Sequence, residues 1–480
     1  MFGIKQNECV GFESRWKVTK VKTESSTQTS DFSSNEKGTN TAERACINVQ
    51  TDNTAREETA EADMESLASW LGKIYPKVEK AMDECTTSQA FRGYRMQGDL
   101  QDANCKLLQS IGVVNSLEGG SGDKLIRISD ITWNQTGKSI AISCNSEHDS
   151  WCHHAGNVAI FTLNRDWKLP EAPRQKLTTE SCITSLKFHP IHPAIIAAGT
   201  FTGSVKIWNI QNEEEEDFIR KENVHSDAIT QISWVEDVDL SKDILLATSS
   251  TDGYLKLWNS KTSPFALSLK VSFKIKIPLF GAATKNTDVR SATEKNIQGI
   301  VAFDFSHHSP EMFVVALEGG CIARCSTLGA FELKESTKDN KVFDPLSKYY
   351  EPHDGEVTSI SFSPMRSEMF MTCGTDGELR IYLIGQEEPA QVIFLKDTLL
   401  DVVFVPYEEK LIAGCGLKGM LEIFNVVKGQ ALDDVTTEDV KKTTLTKLAV
   451  NKKKTNIVAL GSTNGELQLW SVPWILFSIK

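Results

Sequence analysis

The sequence repeats one short pattern seven times, a glycine followed five residues later by an aromatic residue or by a residue in its place. Between the two, polar and apolar residues alternate, as in Gly253-Tyr254-Leu255-Lys256-Leu257-Trp258. Such alternation after a glycine is typical of a half-buried β-strand that begins at a turn. The seven pairs are Gly156–Phe161, Gly203–Trp208, Gly253–Trp258, Gly320–Cys325, Gly377–Tyr382, Gly419–Phe424 and Gly465–Trp470.

Each glycine follows two further apolar runs, which predict two more strands per repeat. The nearer runs are Ser139–Cys144, Ala194–Ala198, Ile244–Thr248, Met312–Leu317, Met369–Cys373, Lys410–Cys415 and Asn456–Leu460. The farther runs are Ile131–Trp133, Ile183–Phe188, Ile229–Trp234, Ile300–Phe305, Val357–Phe362, Leu400–Phe404 and Leu445–Val450. Three strands recurring at about 40 to 50 residues, with a fourth in each linker, are typical of propeller blades. The sequence therefore predicts an all-β fold, a seven-bladed β-propeller.

The repeats resemble those of the WD-repeat family over roughly the last three-quarters of the chain. The Trp-Asp dipeptide itself is missing, since Trp208-Asn209, Phe424-Asn425 and similar pairs stand in its place. The resemblance implies a buried hydrogen-bonded network in the third and fifth repeats. Its members there are His225, Asp252 and Trp258, and His353, Asp376 and Tyr382.

A propeller ring must also be closed by a strand from outside the repeats. Cys105–Val114 is the candidate, and Trp474–Ile479 is the alternative.

Composition argues against nucleic acid and membranes as partners. The 480 residues carry a net charge of −12, and no basic stripe with interleaved aromatics appears. No stretch approaches the roughly 20 apolar residues of a membrane span, so membrane insertion is not expected. The first residues lack the apolar core of a signal peptide. The 11 cysteines fall singly, which favours thiols over disulfides.

Residues 1–63 differ from the rest and are expected to form a disordered tail, because Ser, Thr, Glu and Asn dominate and large apolar residues are rare. Two short β-prone islands lie within it, Ser25–Asp31 and Ile47–Asp52, which contain Thr27-Gln28-Thr29 and Val49-Gln50-Thr51 with an aspartate close behind. Both resemble the linear motif that LC8-type dynein light chains bind as an added edge strand. A Thr-Gln-Thr triplet in such a tail also arises by chance, but two sites would favour a dimeric ligand.

Residues 64–98 are predicted to form an amphipathic helical segment. Apolar residues recur at spacings of three and four, with Met82 adjoining the stripe. Pro76 interrupts the pattern, so two short helices are expected, with Pro76 near the start of the second. The stripe covers either the propeller's own surface or a partner. Its members are Met64, Leu67, Leu71, Ile74, Val78, Ala81 and Cys85.

The order of tail, helical segment and propeller (residues 99–480) resembles that of dynein intermediate chains. Four segments sharpen the resemblance, particularly to the chains of the dynein 2 motor of retrograde intraflagellar transport. These are Ser88–Tyr94, Ser129–Gly137, His148–Trp151 and Glu318–Gly320.

The resemblance implies a non-catalytic scaffold in the cytoplasm, cytoskeleton and cilium, at the axoneme and basal body. The implied partners are an LC8-type light chain at the tail, a roadblock-type light chain, the dynein heavy chain and a second intermediate chain. Leu67, Leu71, Ile74, Val78 and Met82 are the expected roadblock-type contacts. The propeller would hold the heavy chain, through residues that the sequence does not indicate.

An enzymatic function is not expected, and neither is a cofactor. No phosphate-binding loop or catalytic triad at usable spacing is present. Cys144, His148, Cys152, His153 and His154 crowd one segment, but their spacing matches no closed zinc site, so no metal is expected. The alternative function is a WD-repeat substrate receptor or general protein-interaction scaffold, for which the paired tail motifs would have no use.

Overall fold

The computed structural model describes residues 64–87, 105–113, 126–146, 152, 154–211, 218–238, 243–262, 265–276, 298–336, 341–432 and 443–479. The chain divides into two units, Met1–Arg95 and Met96–Lys480. The tail with Thr27, Gln28, Thr29, Val49, Gln50 and Thr51 lies outside the described residues.

The first unit contains one continuous helix, α1 (Met64–Thr87), with Pro76 inside it. The expectation of two short helices was therefore wrong. Pro76 lacks only the amide that would bond to the carbonyl of Gly72. Ending one helix and starting another would instead leave several amides and carbonyls without intrahelical partners. Glycine at position 72 also has the backbone freedom to adjust around the proline ring.

The second unit begins with β1 (Lys106–Gly112) and continues through the strands of the seven predicted blades, labelled in chain order. Blade one comprises β2 (Ile126–Trp133), β3 (Ser139–Ser146), β4 (Gly156–Thr162) and β5 (Gln175–Thr179). Blade two comprises β6 (Ile183–Phe188), β7 (Ile195–Thr200), β8 (Val205–Asn209) and β9 (Phe218–Lys221). Blade three comprises β10 (Ile229–Glu236), β11 (Ile244–Ser250), β12 (Tyr254–Thr262) and β13 (Phe265–Lys274).

The later blades follow the same antiparallel order. Blade four contains β14 (Ile300–Phe305), β15 (Met312–Leu317), β16 (Ile322–Ser326) and, after an insertion of β17 (Phe331–Glu332) and β18 (Val342–Asp344), β19 (Leu346–Tyr350). Blade five contains β20 (Val357–Phe362), β21 (Met369–Gly374), β22 (Glu378–Leu383) and β23 (Gln391–Phe394). Blade six contains β24 (Leu399–Phe404), β25 (Leu411–Gly416), β26 (Leu421–Asn425) and β27 (Gln430–Ala431). Blade seven contains β28 (Leu445–Val450), β29 (Ile457–Ser462) and β30 (Glu466–Ser471), and α2 (Trp474–Ile479) follows.

The inserted strands were not predicted from the sequence. They extend blade three rather than blade four, because β18 pairs in parallel with β13, and β17 pairs with β18. The third blade is thereby a sheet of six strands.

The ring is closed by the strand that the sequence analysis favoured. β1 pairs antiparallel with β30, with Leu107 opposite Trp470 and Ile111 opposite Leu467. The alternative closing segment, Trp474–Ile479, is helical instead. Pro473 precedes it and has no amide for a strand ladder, but suits the approach to a first helical turn. Trp474 and Phe477 are buried against the core of blades six and seven.

The repeated glycine has a conformational cause in six of the seven repeats. Gly203, Gly253, Gly320, Gly377, Gly419 and Gly465 all have φ between 70° and 83°. Residues with a Cβ rarely adopt this conformation, so the hairpin between the second and third strands of each blade requires glycine. The repeated glycine therefore indicates a tight turn, and the alternating residues after it indicate a strand.

Small residues in the second strands set how closely neighbouring blades pack. A Cβ on Gly199 would lie 2.6 Å from Ile229 Cγ2 in the first strand of the next blade. A Cβ on Gly461 would lie 2.6 Å from Ile128 Cγ2, across the junction of blades seven and one. These second strands are buried along their length in blades two, five, six and seven, so the core lies between the sheets.

Neither described helix combines the length and apolarity of a bilayer-spanning segment.

Candidate binding sites

Blade three contains the hydrogen-bonded network that the sequence analysis expected. His225 Nδ1 lies 2.9 Å from Asp252 Oδ2, and its Nε2 lies 2.9 Å from Thr248 Oγ1. Trp258 Nε1 donates to the same hydroxyl at 3.0 Å. Asp252 in turn accepts the amides of Ser226 and Tyr254, so the network joins the loop before the blade to its central hairpin. Thr248, which connects the imidazole to the indole, was missed because a threonine within a strand carries no distinctive signal.

Blade five repeats the network with one change. His353 Nδ1 lies 2.8 Å from Asp376 Oδ2, and Nε2 lies 2.7 Å from Thr372 Oγ1. Tyr382 does not join them; its hydroxyl donates to the carbonyl of Glu351 at 2.8 Å. Burial lowers the pKa of both histidines, although the hydrogen-bonded aspartates oppose this. Because every ring nitrogen is already engaged, these histidines hold loops in place and are poor candidates for catalysis or ligand binding.

A second set of polar contacts runs around the inner strands from blade to blade. Side-chain oxygens of one blade accept a backbone amide of the next, as from Leu186 to Asp130 (2.7 Å) and from Phe362 to Asp304 (2.7 Å). The junction of blades seven and one is made by the Thr446 hydroxyl, which donates to the carbonyl of Ile128 at 2.7 Å. The other such contacts are Ile232 to Ser185, Phe303 to Gln231 and Leu448 to Asp401. These contacts fix the register between blades.

His189 holds a turn of blade two through hydrogen bonds that depend on the protonation state of its imidazole. Its Nδ1 accepts the amides of Ile191 and His192 at 3.1 and 3.0 Å, so protonation of that atom breaks both bonds. Burial, with the adjacent His192, lowers the pKa of His189 from 6.5 to about 4. In blade seven an asparagine holds the equivalent turn, since Asn451 Oδ1 accepts the amides of Lys453 and Lys454.

We expect His189→Asn to reduce the acid sensitivity of the propeller without lowering its stability near neutral pH. A folded-state pKa below the unfolded value means that the stabilisation is complete above pH 6.5 and is lost as the pH falls toward 4. At about pH 5 the histidine costs roughly 1–2 kcal/mol, and asparagine should recover most of it. Thermal melts at about pH 7.5 and pH 5 measure the difference. An equal loss of melting temperature in both proteins would contradict the assignment, and His308→Asn, at an exposed position in blade four, is the matched control.

Among the described residues of the second unit, most of the exposed large apolar side chains lie at one end of the propeller. Loops between first and second strands, and between third and fourth strands, lie at the same end because neighbouring strands are antiparallel. We call these side chains the end surface; Tyr407 is 76% and Val427 66% exposed. The two lie in adjacent loops of blade six, joined by the amide of Val426 and the carbonyl of Lys410 at 2.8 Å. The full set is Ile191, Val238, Leu328, Met365, Tyr407 and Val427.

A groove of about 370 Å³ opens at this end, between blades three and four. Val238 and Leu328 of the end surface line it, together with Phe305 and Phe343. An Arg366–Glu409 ion pair ties the corresponding loops of blades five and six. Exposed apolar side chains beside a groove are typical of a protein-binding site.

The α1 stripe, defined as Leu67, Leu71, Ile74, Val78 and Met82, lies on one face of α1. Ile74 is partly buried, and the other four are between 45% and 62% exposed. Two aromatic residues that the sequence analysis left out, Trp70 and Tyr75, extend the stripe on its two sides and are also exposed. At 3.6 residues per turn, the α1 stripe together with Trp70 and Tyr75 covers about 140° of the helix surface. This is the width of a helix face that packs on another protein element.

The histidine- and cysteine-rich segment of blade one is only partly described, and His148 and His153 lie outside the described residues. Cys144 is buried in β3. Cys152 and His154 lie beside Cys182, and their ligand atoms are all within 4.8 Å of one another. Sequence reasoning missed Cys182 because it belongs to the connection to blade two, 30 residues from Cys152.

Comparisons with known proteins agree with the propeller repeats and show similarity to dynein intermediate chains. The family described as "WD domain, G-beta repeat" matches residues 172–209, 217–259 and 344–382, which lie at blades two, three and five. "Cytoplasmic dynein 2 intermediate chain 2" of Homo sapiens is 25% identical over 85% of this chain and 76% of its own length. The Mus musculus protein of that name is 26% identical over 93% of this chain and 84% of its own length. "Dynein intermediate chain 2, ciliary" of Heliocidaris crassispina is 23% identical, over 85% and 55% respectively. The chain thus resembles dynein intermediate chains, and cytoplasmic dynein 2 intermediate chain 2 in particular, over most of its length.

Proposed function

We propose that this chain is a non-catalytic intermediate chain of a dynein, of the cytoplasmic dynein 2 type that serves retrograde intraflagellar transport in cilia. The observation that carries the proposal is similarity over 85–93% of the chain, which extends beyond the propeller repeats to the preceding segment. The related proteins are named as intermediate chains of a dynein, and the buried His225 and His353 are engaged in holding loops. The expected location is the cytoskeleton and the cilium.

The light-chain sites complete the proposal. The tail motifs around Gln28-Thr29 and Gln50-Thr51 take an LC8-type light chain, and the α1 stripe takes a roadblock-type light chain. Exposed apolar side chains along a whole helical face support the second assignment, because a helix of this length gains most of its stability from packing. A second intermediate chain joins through the dimeric light chains, which turn later contacts into intramolecular ones.

The end surface is the proposed contact for the motor heavy chain. The end surface combines exposed apolar loops with a groove. Phe394 is also exposed, at 78%, but it lies at the end of the outer strand β23 and is not part of the end surface. A large partner needs a broad contact area, and the loops at one end of the propeller lie on the same side of the ring.

Tyr407→Asp with Val427→Asp should therefore weaken binding of the heavy-chain tail at least tenfold while leaving the propeller folded. Charges at the centre of an apolar contact must be desolvated without a partner, which costs several kcal/mol. Affinity is measured by interferometry with the immobilised heavy-chain tail. Phe394→Asp is the control, and equal loss in both variants, or none in the first, would place the contact elsewhere.

The function is tested by recovering the intact chain from ciliated cells and identifying what accompanies it. Replacing Gln28, Thr29, Gln50 and Thr51 with alanine removes the side chains that fill the pockets of an LC8-type dimer. We expect the LC8-type light chain to fall at least tenfold while the heavy chain stays. Replacing Ser34, Asn35, Thr39 and Asn40 with alanine instead is the matched control, because these four residues lie in the same tail outside both islands.

The alternative, a WD-repeat substrate receptor, predicts a different result. Its partners would include neither light chains nor a heavy chain, and the four alanines would change nothing. Recovery of that kind would reject the proposed function.

A further inference from the structure

Cys152, His154 and Cys182 form a cluster that no part of the proposed function uses. The Sγ atoms of the two cysteines and one ring nitrogen of the histidine lie within 4.8 Å of one another. Cys152 and His154 belong to the loop between β3 and β4, whereas Cys182 directly precedes β6. The cluster therefore joins a hairpin loop of blade one to the connection between blades one and two.

The geometry is close to that of a tetrahedral zinc site. With Zn–S bonds of about 2.3 Å, two thiolates on one zinc lie about 3.8 Å apart. A cluster within 4.8 Å needs shifts of about 1 Å or less to reach that arrangement. Two sulfurs and one imidazole are soft ligands that suit zinc, and three protein ligands leave the fourth position for water.

The backbone around the cluster is fixed independently of it. Asn145 holds Ile183, the neighbour of Cys182, from both sides: its Nδ2 donates to the carbonyl at 2.6 Å, and its Oδ1 accepts the amide at 3.0 Å. The carbonyl of Cys182 accepts the amide of Phe201 at 2.9 Å. Such second contacts place the ligands before a metal arrives, which raises affinity.

Gly156 brings the two segments together. A Cβ at this position would meet the hydroxyl of Thr179 and lie 2.5 Å from the carbonyl of Ser181. The other six repeat glycines have positive φ, whereas Gly156 is required because the backbone of the neighbouring segment approaches it closely. The amide of Cys182 donates to Cys152 Sγ at 3.2 Å, a hydrogen bond that favours the thiolate a metal needs.

We infer that Cys152, His154 and Cys182 bind one zinc ion, which staples the β3–β4 loop to the connection between blades one and two. The expectation of no metal rested on spacing within one segment and did not include Cys182. The blade-five group of His353, Asp376 and Glu378 is no rival, because its histidine and aspartate belong to the loop network and Glu378 pairs with Arg380 at 2.7 Å. Cys152 and His154 are partly exposed, so the ion has a path from solvent.

The test uses the full chain without a metal-binding tag, purified under reducing conditions and analysed by plasma mass spectrometry. We expect about one zinc per chain, falling below about a tenth in Cys152→Ser and in His154→Ala, since each removes a direct ligand. Cys321→Ser and His192→Ala, which remove the same residue types from other blades, should keep the zinc. Circular dichroism verifies that every variant is folded, and Cys182→Ser is left out of the decision because Cys182 is buried.

A second measurement identifies the ligands by spectroscopy. Replacing zinc by Co²⁺ should give the absorption of thiolate-to-cobalt charge transfer in the wild-type chain and not in Cys152→Ser. Three results would overturn the inference: a wild-type chain without metal, copper in place of zinc, or a Cys152–Cys182 disulfide in peptide mapping.

Discussion

A fragment of residues 105–480 should fold and melt cooperatively, whereas a fragment of residues 114–480 should not. The shorter fragment lacks β1, whose six paired residues cover the edge of β30. It also lacks Cys105 and Val113, which are 1% and 0% exposed in the cores on either side. Burial of these and the partly buried Leu107 and Ile111 contributes about 5 kcal/mol or more, comparable to the whole stability of a domain. Thermal melts followed by circular dichroism give the comparison.

A point substitution in the full chain tests the role of the closing segment without truncation. Val113→Asp in the full chain should lower the melting temperature strongly because it buries a charge. Lys106→Asp, at an exposed position of β1, should change it little. Similar melting of the two fragments would mean that another segment closes the ring, contrary to the structure.

Leu71→Asp combined with Val78→Asp should abolish binding of the roadblock-type light chain, weakening it by at least about 100-fold. Both side chains lie within the α1 stripe and are about half exposed, at 48% and 47%. Charges there cannot be buried against an apolar partner surface without a large desolvation cost. Size-exclusion chromatography of the chain with the purified light chain shows whether they co-elute, and titration calorimetry gives the affinity.

The control for the α1 stripe is Lys73→Asp, which changes charge on the opposite face of the same helix and should leave binding intact. The melting temperature of the propeller should be unchanged in both proteins. A lower melting temperature with the double substitution would instead show that the stripe covers the chain's own surface, the alternative that the sequence left open.

Several features of the fold followed from local sequence patterns. Alternation between Gly253 and Trp258 predicted a half-buried strand, and the structure has β12 there. A strand and its hairpin are specified by neighbouring residues, since the pleat alternates side chains and the turn needs a glycine with positive φ. Met312–Leu317 was predicted with the bounds that the structure has. The histidine–aspartate pairs of blades three and five followed from family resemblance and are present at 2.9 and 2.8 Å.

Two predictions of secondary structure failed because interactions beyond the local sequence pattern decided the outcome. Pro76 suggested a break, but a single missing hydrogen bond costs less than two new helix ends. The strands β17 and β18 were missed because an insertion in one blade pairs with the edge of another, which no periodicity records. The light-chain residues of the tail stay a prediction.

The sequence by itself determined the seven repeats and most of their strands, because each strand and hairpin depends on residues within a few positions of one another. Only the tertiary structure decided which segment closes the ring, where the exposed apolar loops gather and that Cys182 lies beside Cys152. These depend on contacts between residues far apart in the chain, such as Leu107 with Trp470 across the closing pair of strands. Such contacts form when β-sheets pack around a common axis, and a pattern of neighbouring residues contains no information about that packing.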